Sequence, residues 1–292
     1  MKVVVYGKKF GEEADEHIRT LYRKLDQMGV ESITYDRFAS FLSTRAIPDF
    51  NRPTYEKPKD IDLPIDFLIS IGGDGTILDT ISSIGDSEVP IVGINTGRLG
   101  FLANNSKEDV EKVLELLAAG EYNLQHRSLL SLDTEDNLFG NYNFALNEIT
   151  IHKKDSSSMI TLHTYVDGEF LNSYWADGLI ISTPTGSTAY SLSCGGPILH
   201  PSSNSFIVNP IAPHNLTARP IIIPDEAVIT VEVEGRDEEF LVTMDSRSKS
   251  IASKYRLKMY KSDFHINLVQ FDDQNFFKTI RNKLLWGQDK RN

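Results

Sequence analysis

The stretch FLISIGGDGTIL, residues 67–78, decides how the chain is read. Its first five residues form a short apolar run, the pattern of a strand buried on both faces of a parallel sheet. Gly72, Gly73 and Gly75 follow, and helical spacing takes over across residues 77–84. Glycines let a backbone approach an anion closely and present its N–H groups. The start of a helix adds the positive end of its dipole. Gly72, Gly73, Gly75 and Thr76 are therefore candidate phosphate-binding residues. A carboxylate in such a loop repels phosphate unless it has its own task. For Asp74 that task is taking a proton from an attacking hydroxyl or organising Mg²⁺. The competing reading is a tight strand–helix turn, since Asp-Gly is common turn chemistry. The loop lacks the Lys-Ser/Thr of a Walker A motif and the spacing of a dinucleotide fingerprint.

On the N-terminal side, residues 3–6 read as a buried strand. Ile18, Leu21, Tyr22 and Leu25 give residues 14–28 a helical face, with Gly29 as its stop. Residues 51–64, with three prolines, read as a loop. Beyond the glycine loop, residues 89–94 form another strand. Ser106 is a candidate N-cap for a helix carrying Val110, Val113, Leu114 and Leu117. This alternation predicts an α/β domain over residues 1–122.

After Tyr122 the pattern changes to short alternating runs at 128–133, 142–152, 160–166, 169–175, 179–182, 228–233, 240–244, 256–260 and 265–271. Asp167–Gly168, Asp177–Gly178 and Glu234–Gly235 serve as separators. An all-β domain over 123–272 is expected. Residues 273–292 return to helical spacing with Phe277, Ile280, Leu284 and Leu285.

Acidic residues outnumber basic ones 41 to 30, a net charge of −11. Such a surface disfavours nucleic acid and anionic membranes, while a local site can still hold a small anion. Cys194 is the only cysteine, which excludes an intrachain disulfide and a cysteine-rich zinc site. No apolar run approaches the ~18 residues of a membrane span, and residues 1–6 lack the pattern of a signal peptide. The cytoplasm is the expected compartment. The histidines form no metal-binding array, so no metal ligands are assigned. The charge runs at 12–13 and 236–239 read as solvated turns.

Two further segments carry chemistry. Residues 177–191, DGLIISTPTGSTAYS, run from a buried strand into a loop rich in hydroxyls, which suit ribose and adenine edges. Tyr190 offers a flat face for a base. A plain Ser/Thr-rich turn is the alternative. Asn147 and Glu148 interrupt a strand-like run, so at least one points inward and needs a partner; a bulge at a sheet edge is the alternative.

Taken together, the chain resembles the bacterial NAD kinase family. The resemblance rests on GGDGT (72–76), GINTGRLGFL (93–102), ALNE (145–148), residues 177–197, ARP (218–220) and RNKLLW (281–286). It implies an α/β N-terminal domain, a β-rich C-terminal domain and a terminal helix returning to the first. It also implies a homotetramer, a divalent cation such as Mg²⁺, and ATP as donor, with polyphosphate accepted by some members. Asp74 would be the general base for the ribose 2′-hydroxyl of NAD. Gly75, Phe101, Asn147, Glu148, Asp177, Ser187, Thr188, Ala189, Tyr190, Ser191, Leu192, Ser193 and Ala212 would surround the dinucleotide.

Two positions depart from the family pattern. Cys194 stands where a small residue, often Ala, is usual. Arg247 stands where relatives often carry Gln; it reads either as a surface arginine paired with an acid or as a bidentate grip on a ligand phosphate. The rival functions are a GGDG-type kinase for another hydroxyl substrate and a non-catalytic NAD(P) sensor. Neither the P-x-G-T-G-N-D block that lipid kinases pair with GGDG nor a replaced Asp74 is present to support them.

Overall fold

The computed structural model describes residues 1–45, 47, 52–61, 64–97, 100–154, 159–235, 239–252, 256–272 and 274–286. Chain contacts divide it into two units, Met1–His126 with Ile266–Asn292, and Arg127–His265.

The first unit is built on parallel strands in the order Thr54–Tyr55, Glu31–Tyr35, Lys2–Gly7, Phe67–Ile71, Ile91–Asn95. The end of Arg256–Gln270 joins Ile91–Asn95 in parallel at Leu268. From Lys2–Gly7 the chain moves outward to one side, then returns to place Phe67–Ile71 on the other. The strand order therefore reverses between these two central strands, where open α/β sheets form a crevice at the carboxyl ends. Phe67–Ile71 and Ile91–Asn95 are buried along their whole length. Helix Asp15–Gln27 turns Ile18, Leu21, Tyr22 and Leu25 into a core shared with Val3, Val5, Ile69 and Val92. Each such side chain contributes about 1.5–3 kcal/mol on burial.

The second unit is antiparallel. One sheet runs Ile221–Pro224, Ser205–Ile211, Gly178–Ser182, Glu148–Lys153, Glu239–Met244, Arg247–Ala252. The strands Glu169–Ala176, Ile160–Val166, Ile229–Glu234 and the start of Arg256–Gln270 pair in that order. Their inward residues share one core, with Ile149, Ile181 and Phe206 meeting Leu162, Val231 and Met259.

Several expectations change in detail. The strand–helix pair Glu31–Tyr35 and Asp36–Thr44 was not anticipated, nor were Ser205–Ile211, Ile221–Pro224 and Arg247–Ala252. Runs 256–260 and 265–271 are one strand. Asp177–Gly178 is no hairpin turn, because Gly178 already pairs with Ile211 and His152. Ser106 does not cap a helix with its side chain; its hydroxyl donates to Glu108 instead. Part of the 51–64 loop, Arg98 and Leu99 of the GINTGRLGFL block, and most of the 236–239 charge run lie outside the described residues.

Candidate functional site

Asp74 opens the helix Asp74–Ile84 directly after Gly73. Its position follows from Gly72, whose φ of +148° a β-carbon would not tolerate: that atom would fall 2.2 Å from Thr76 Oγ1. Asp74 is held by three successive backbone amides. Phe101 N–H donates to Oδ2 at 2.8 Å, while Leu102 and Ala103 donate to Oδ1 at 3.0 and 2.9 Å. A carboxylate oxygen accepts about two hydrogen bonds. Oδ1 is therefore saturated, and Oδ2 keeps one acceptor position. Gly73 and Gly75 are exposed and open, whereas Thr76 is buried beneath Gly72.

The amides that hold Asp74 are themselves fixed. Asn95 accepts from Gly97 N–H at 2.7 Å and donates to the Ala103 carbonyl at 3.4 Å. Gln274 accepts from Asn104 at 2.9 Å and donates to Asn105 at 2.7 Å. Phe101 faces Phe276, with Lys283 Nζ 5.7 Å from the Phe101 ring centre. Gln274 and Lys283 lie far from Asp74 along the chain, and that separation hides their link to it from the sequence.

In the second unit Asp245 repeats the same device. Its left-handed backbone, φ +51°, turns the carboxylate onto Leu146, Asn147 and Glu148 N–H at 2.8, 2.8 and 3.2 Å. Asp245 belongs to the segment in which Arg247 departs from the family pattern, and the sequence reading assigns it no role in the site. Its sole signal was that Asp tolerates positive φ. Glu148 is buried, and its Oε2 has no hydrogen-bond partner. Burial, then the Asp245 charge, pushes the Glu148 carboxyl up to about 8, against a backbone hydrogen bond from Tyr190. Below that pH it is neutral, so it does not repel an anionic ligand and can donate its own proton.

Most hydroxyls of residues 182–191 face their own loop rather than open space. Thr183 donates to the Leu146 carbonyl at 2.5 Å and Ser187 to Pro184 at 2.6 Å. Thr188 donates to Thr185 at 3.2 Å, and Asn209 holds Ser191. They shape the loop and leave Ala189, Tyr190, Leu192 and Ser193 at least partly exposed. Tyr190 also hydrogen-bonds Cys194, so this departure from the family pattern has a specific neighbour. Tyr190 lies within electrostatic reach of both Glu148 and Asp177. Asp177 pairs with Lys153 at 2.5 Å, and its N–H donates to Ile211, next to Ala212. Ala212 is exposed at φ +44°, a costly conformation for a non-glycine residue. Arg247 places its two terminal nitrogens on the Tyr142 and Phe144 carbonyls and its guanidinium over the Phe144 ring. It thereby braces the segment that leads into Asn147.

An exposed glycine loop with one cradled carboxylate, at the carboxyl end of a parallel sheet and without a P-loop lysine, is an arrangement that suits phosphoryl transfer. Comparison with known proteins narrows that reading. Residues 3–122 match the ATP-NAD kinase N-terminal domain and residues 146–271 the ATP-NAD kinase C-terminal domain. The chain is 47% identical over 294 residues to the NAD kinase of Cytophaga hutchinsonii and 42% identical over 291 residues to that of Bacteroides fragilis, each match covering 100% of both chains. Yeast NADH kinase complexed with NADH aligns with a TM-score of 0.86 at 26% identity, covering 99% of this chain and 89% of the yeast chain. An NAD kinase from Archaeoglobus fulgidus in complex with ATP aligns with a TM-score of 0.76 at 29% identity, covering 98% and 99%. The chain belongs to the ATP-NAD kinase family.

Proposed function

We propose that this protein transfers the γ-phosphoryl group of ATP to the 2′-hydroxyl of the adenosine ribose of NAD, giving NADP. The observation that carries the reading is Asp74: three amides fix its direction, yet Oδ2 retains one acceptor position for a substrate hydroxyl. A ribose hydroxyl is a poor nucleophile, and in-line displacement depends on positioning and charge neutralisation. Asp74 takes the proton, and the open N–H groups around Gly73 and Gly75 receive phosphate oxygens.

Asn147 and Glu148 hold ribose hydroxyls, the second through its unpartnered Oε2. Tyr190 stacks on the acceptor's base, with Ser187–Ser193 shaping that wall, and Asp177 and Ala212 face the nicotinamide end. In this assignment residues 1–122 serve the donor and the base, residues 123–272 the acceptor, and Gln274, Phe276 and Lys283 the loop behind Asp74.

No three His, Cys, Asp or Glu side chains cluster among the described residues. A single carboxylate beside a glycine loop suits Mg²⁺ as nucleotides carry it, held largely by phosphates and water. That cation would supply charge neutralisation on the triphosphate, and Asp74 is the carboxylate that the glycine loop offers it. The reading includes a cytoplasmic homotetramer, as the family resemblance implies.

The test is incubation with NAD, ATP and Mg²⁺, followed by phosphorus NMR of the product. A new phosphate on the adenosine 2′-oxygen is expected. A predominant 3′-isomer overturns the pose, and no product overturns the activity.

A further inference from the structure

Behind the loop that holds Asp74, the first unit contains a cavity that the assignment above leaves unused. It measures about 160 Å³, close to the ~150 Å³ that accommodates benzene in an engineered protein cavity. Two helices form its walls. Val110–Ala119 and its N-cap turn Asp109, Lys112, Val113 and Leu116 into it. From the other side Phe276–Leu284 and its N-cap turn in Asn275, Lys278, Thr279 and Asn282. Each set has the spacing of one helix face.

A helix normally lays its apolar face toward the interior. Here the inward face 275–282 is polar throughout, while Phe277, Leu285 and Trp286 stand more than half exposed. Val113, Leu116 and Phe271 give the cavity one apolar side. Lys112 and Lys278 supply a cation from each helix, against the one carboxylate of Asp109. Asn275 commits its side-chain carbonyl to Phe277 N–H at 2.8 Å, which leaves its NH₂ to donate. A small anion with a compact apolar body satisfies these groups together. Its carboxylate lies between the lysines, a neighbouring oxygen takes the amide donors, and its hydrocarbon part covers Val113 and Leu116.

The inner end of the cavity is the brace of the loop on Asp74. Asn104, Asn105 and Gln274 line it, joined by the two Gln274 hydrogen bonds at 2.9 and 2.7 Å. Asn105 also donates to the Gly93 carbonyl at 2.9 Å. Asn104 follows directly on Ala103, whose N–H holds Asp74 Oδ1. A ligand that ties Lys278 to Lys112 therefore steadies Gln274 against residues 104–105, and through them the three amides on Asp74.

We infer that this cavity is a regulatory site for a short-chain carboxylate bearing a 2-oxo or 2-hydroxy group, separate from the residues assigned to NAD and ATP, and that its occupancy raises turnover by steadying Asp74. The effect on turnover rests on Asp74 being the general base, as proposed above.

Calorimetry with 2-oxoisovalerate as the probe tests the site without turnover. The wild-type chain binds it saturably. The Lys112→Ala/Lys278→Ala double variant, altered at two exposed positions, binds it at least about tenfold more weakly, as loss of charge-assisted contacts requires. So does the wild type with 3-methyl-2-butanone, the same skeleton without the carboxylate. No binding, or equal binding by the variant, overturns the inference. Initial rates of NADP formation then read the coupling. Saturating probe raises wild-type kcat at least about fivefold, with the KM for NAD and for ATP changed less than about twofold. The double variant keeps its basal kcat and loses the response. An unchanged kcat overturns the inference, and so does a raised KM for either substrate, which places the probe in a substrate site. A chain that makes no NADP refutes the proposed activity, while calorimetry still decides the cavity.

Discussion

Asp245 and Glu148 are locked to each other by two hydrogen bonds: Asp245 N–H donates to the Glu148 backbone carbonyl at 3.1 Å, and Glu148 N–H donates to the Asp245 side-chain Oδ1 at 3.2 Å. The two carboxyls are thus held close together, and burial followed by the Asp245 charge raises Glu148 to about 8. A raised carboxyl binds its proton more tightly in the folded chain than in the unfolded one. Its stabilising contribution is complete below the unfolded value, near 4.5, and is lost as pH rises through about 8. Denaturant midpoints measured across that window should fall for the wild type and fall less for Glu148→Gln. Parallel pH profiles for the two proteins would show that Glu148 is ionised throughout.

Asp74→Asn is expected to lower kcat by about 10²–10⁴-fold, the usual worth of a general base. It also turns an NH₂ toward donors that now meet a carboxylate. A stability loss of about 1–3 kcal/mol should accompany it. Full activity with lowered stability would leave Asp74 as a scaffold residue alone.

Gly100→Ala addresses the same carboxylate from behind. A β-carbon at residue 100 would sit 1.7 Å from Asp74 Oδ1, a distance no rotamer change of alanine relieves. The carboxylate must swing away, so kcat should fall by at least about tenfold, since catalytic groups lose that much on small misplacement. The KM for NAD should change little. Wild-type kinetics would mean that loop 100–103 gives way instead.

Tyr190→Ala should raise the KM for NAD about tenfold, from base stacking worth ~1–3 kcal/mol, and leave the KM for ATP in place. An equal rise for ATP would remove Tyr190 from the acceptor side.

Arg247→Gln removes the grip on the Tyr142 and Phe144 carbonyls. A loss of about 1–3 kcal/mol of stability is expected, the usual cost of leaving such partners unmet. Inhibition by NADPH should change by the same factor at low and high salt, because the effect runs through positioning of Asn147. A selective loss of NADPH inhibition that shrinks with salt would instead place the guanidinium on a ligand phosphate.

Strand and helix identity was legible where periodicity and burial agree, as in Phe67–Ile71 and Ile160–Val166. Arg247–Ala252 was missed because its RSKSIA sequence is largely polar and it lies at a sheet edge, where pairing rather than burial makes a strand. The sequence by itself determined the glycine loop, the carboxylate in it, the switch from parallel to antiparallel patterning, and the family, because these rest on local spacing and short motifs. Only the tertiary structure decided what surrounds those residues. Asp74 owes its three amides to residues 101–103, Asn147 its amide partner to Asp245, and the loop behind Asp74 its brace to Gln274. These contacts join positions 27, 98 and 169 residues apart in the chain. Directional hydrogen bonds between distant segments leave no period in a sequence. They exist only once packing has brought the donors and acceptors into line.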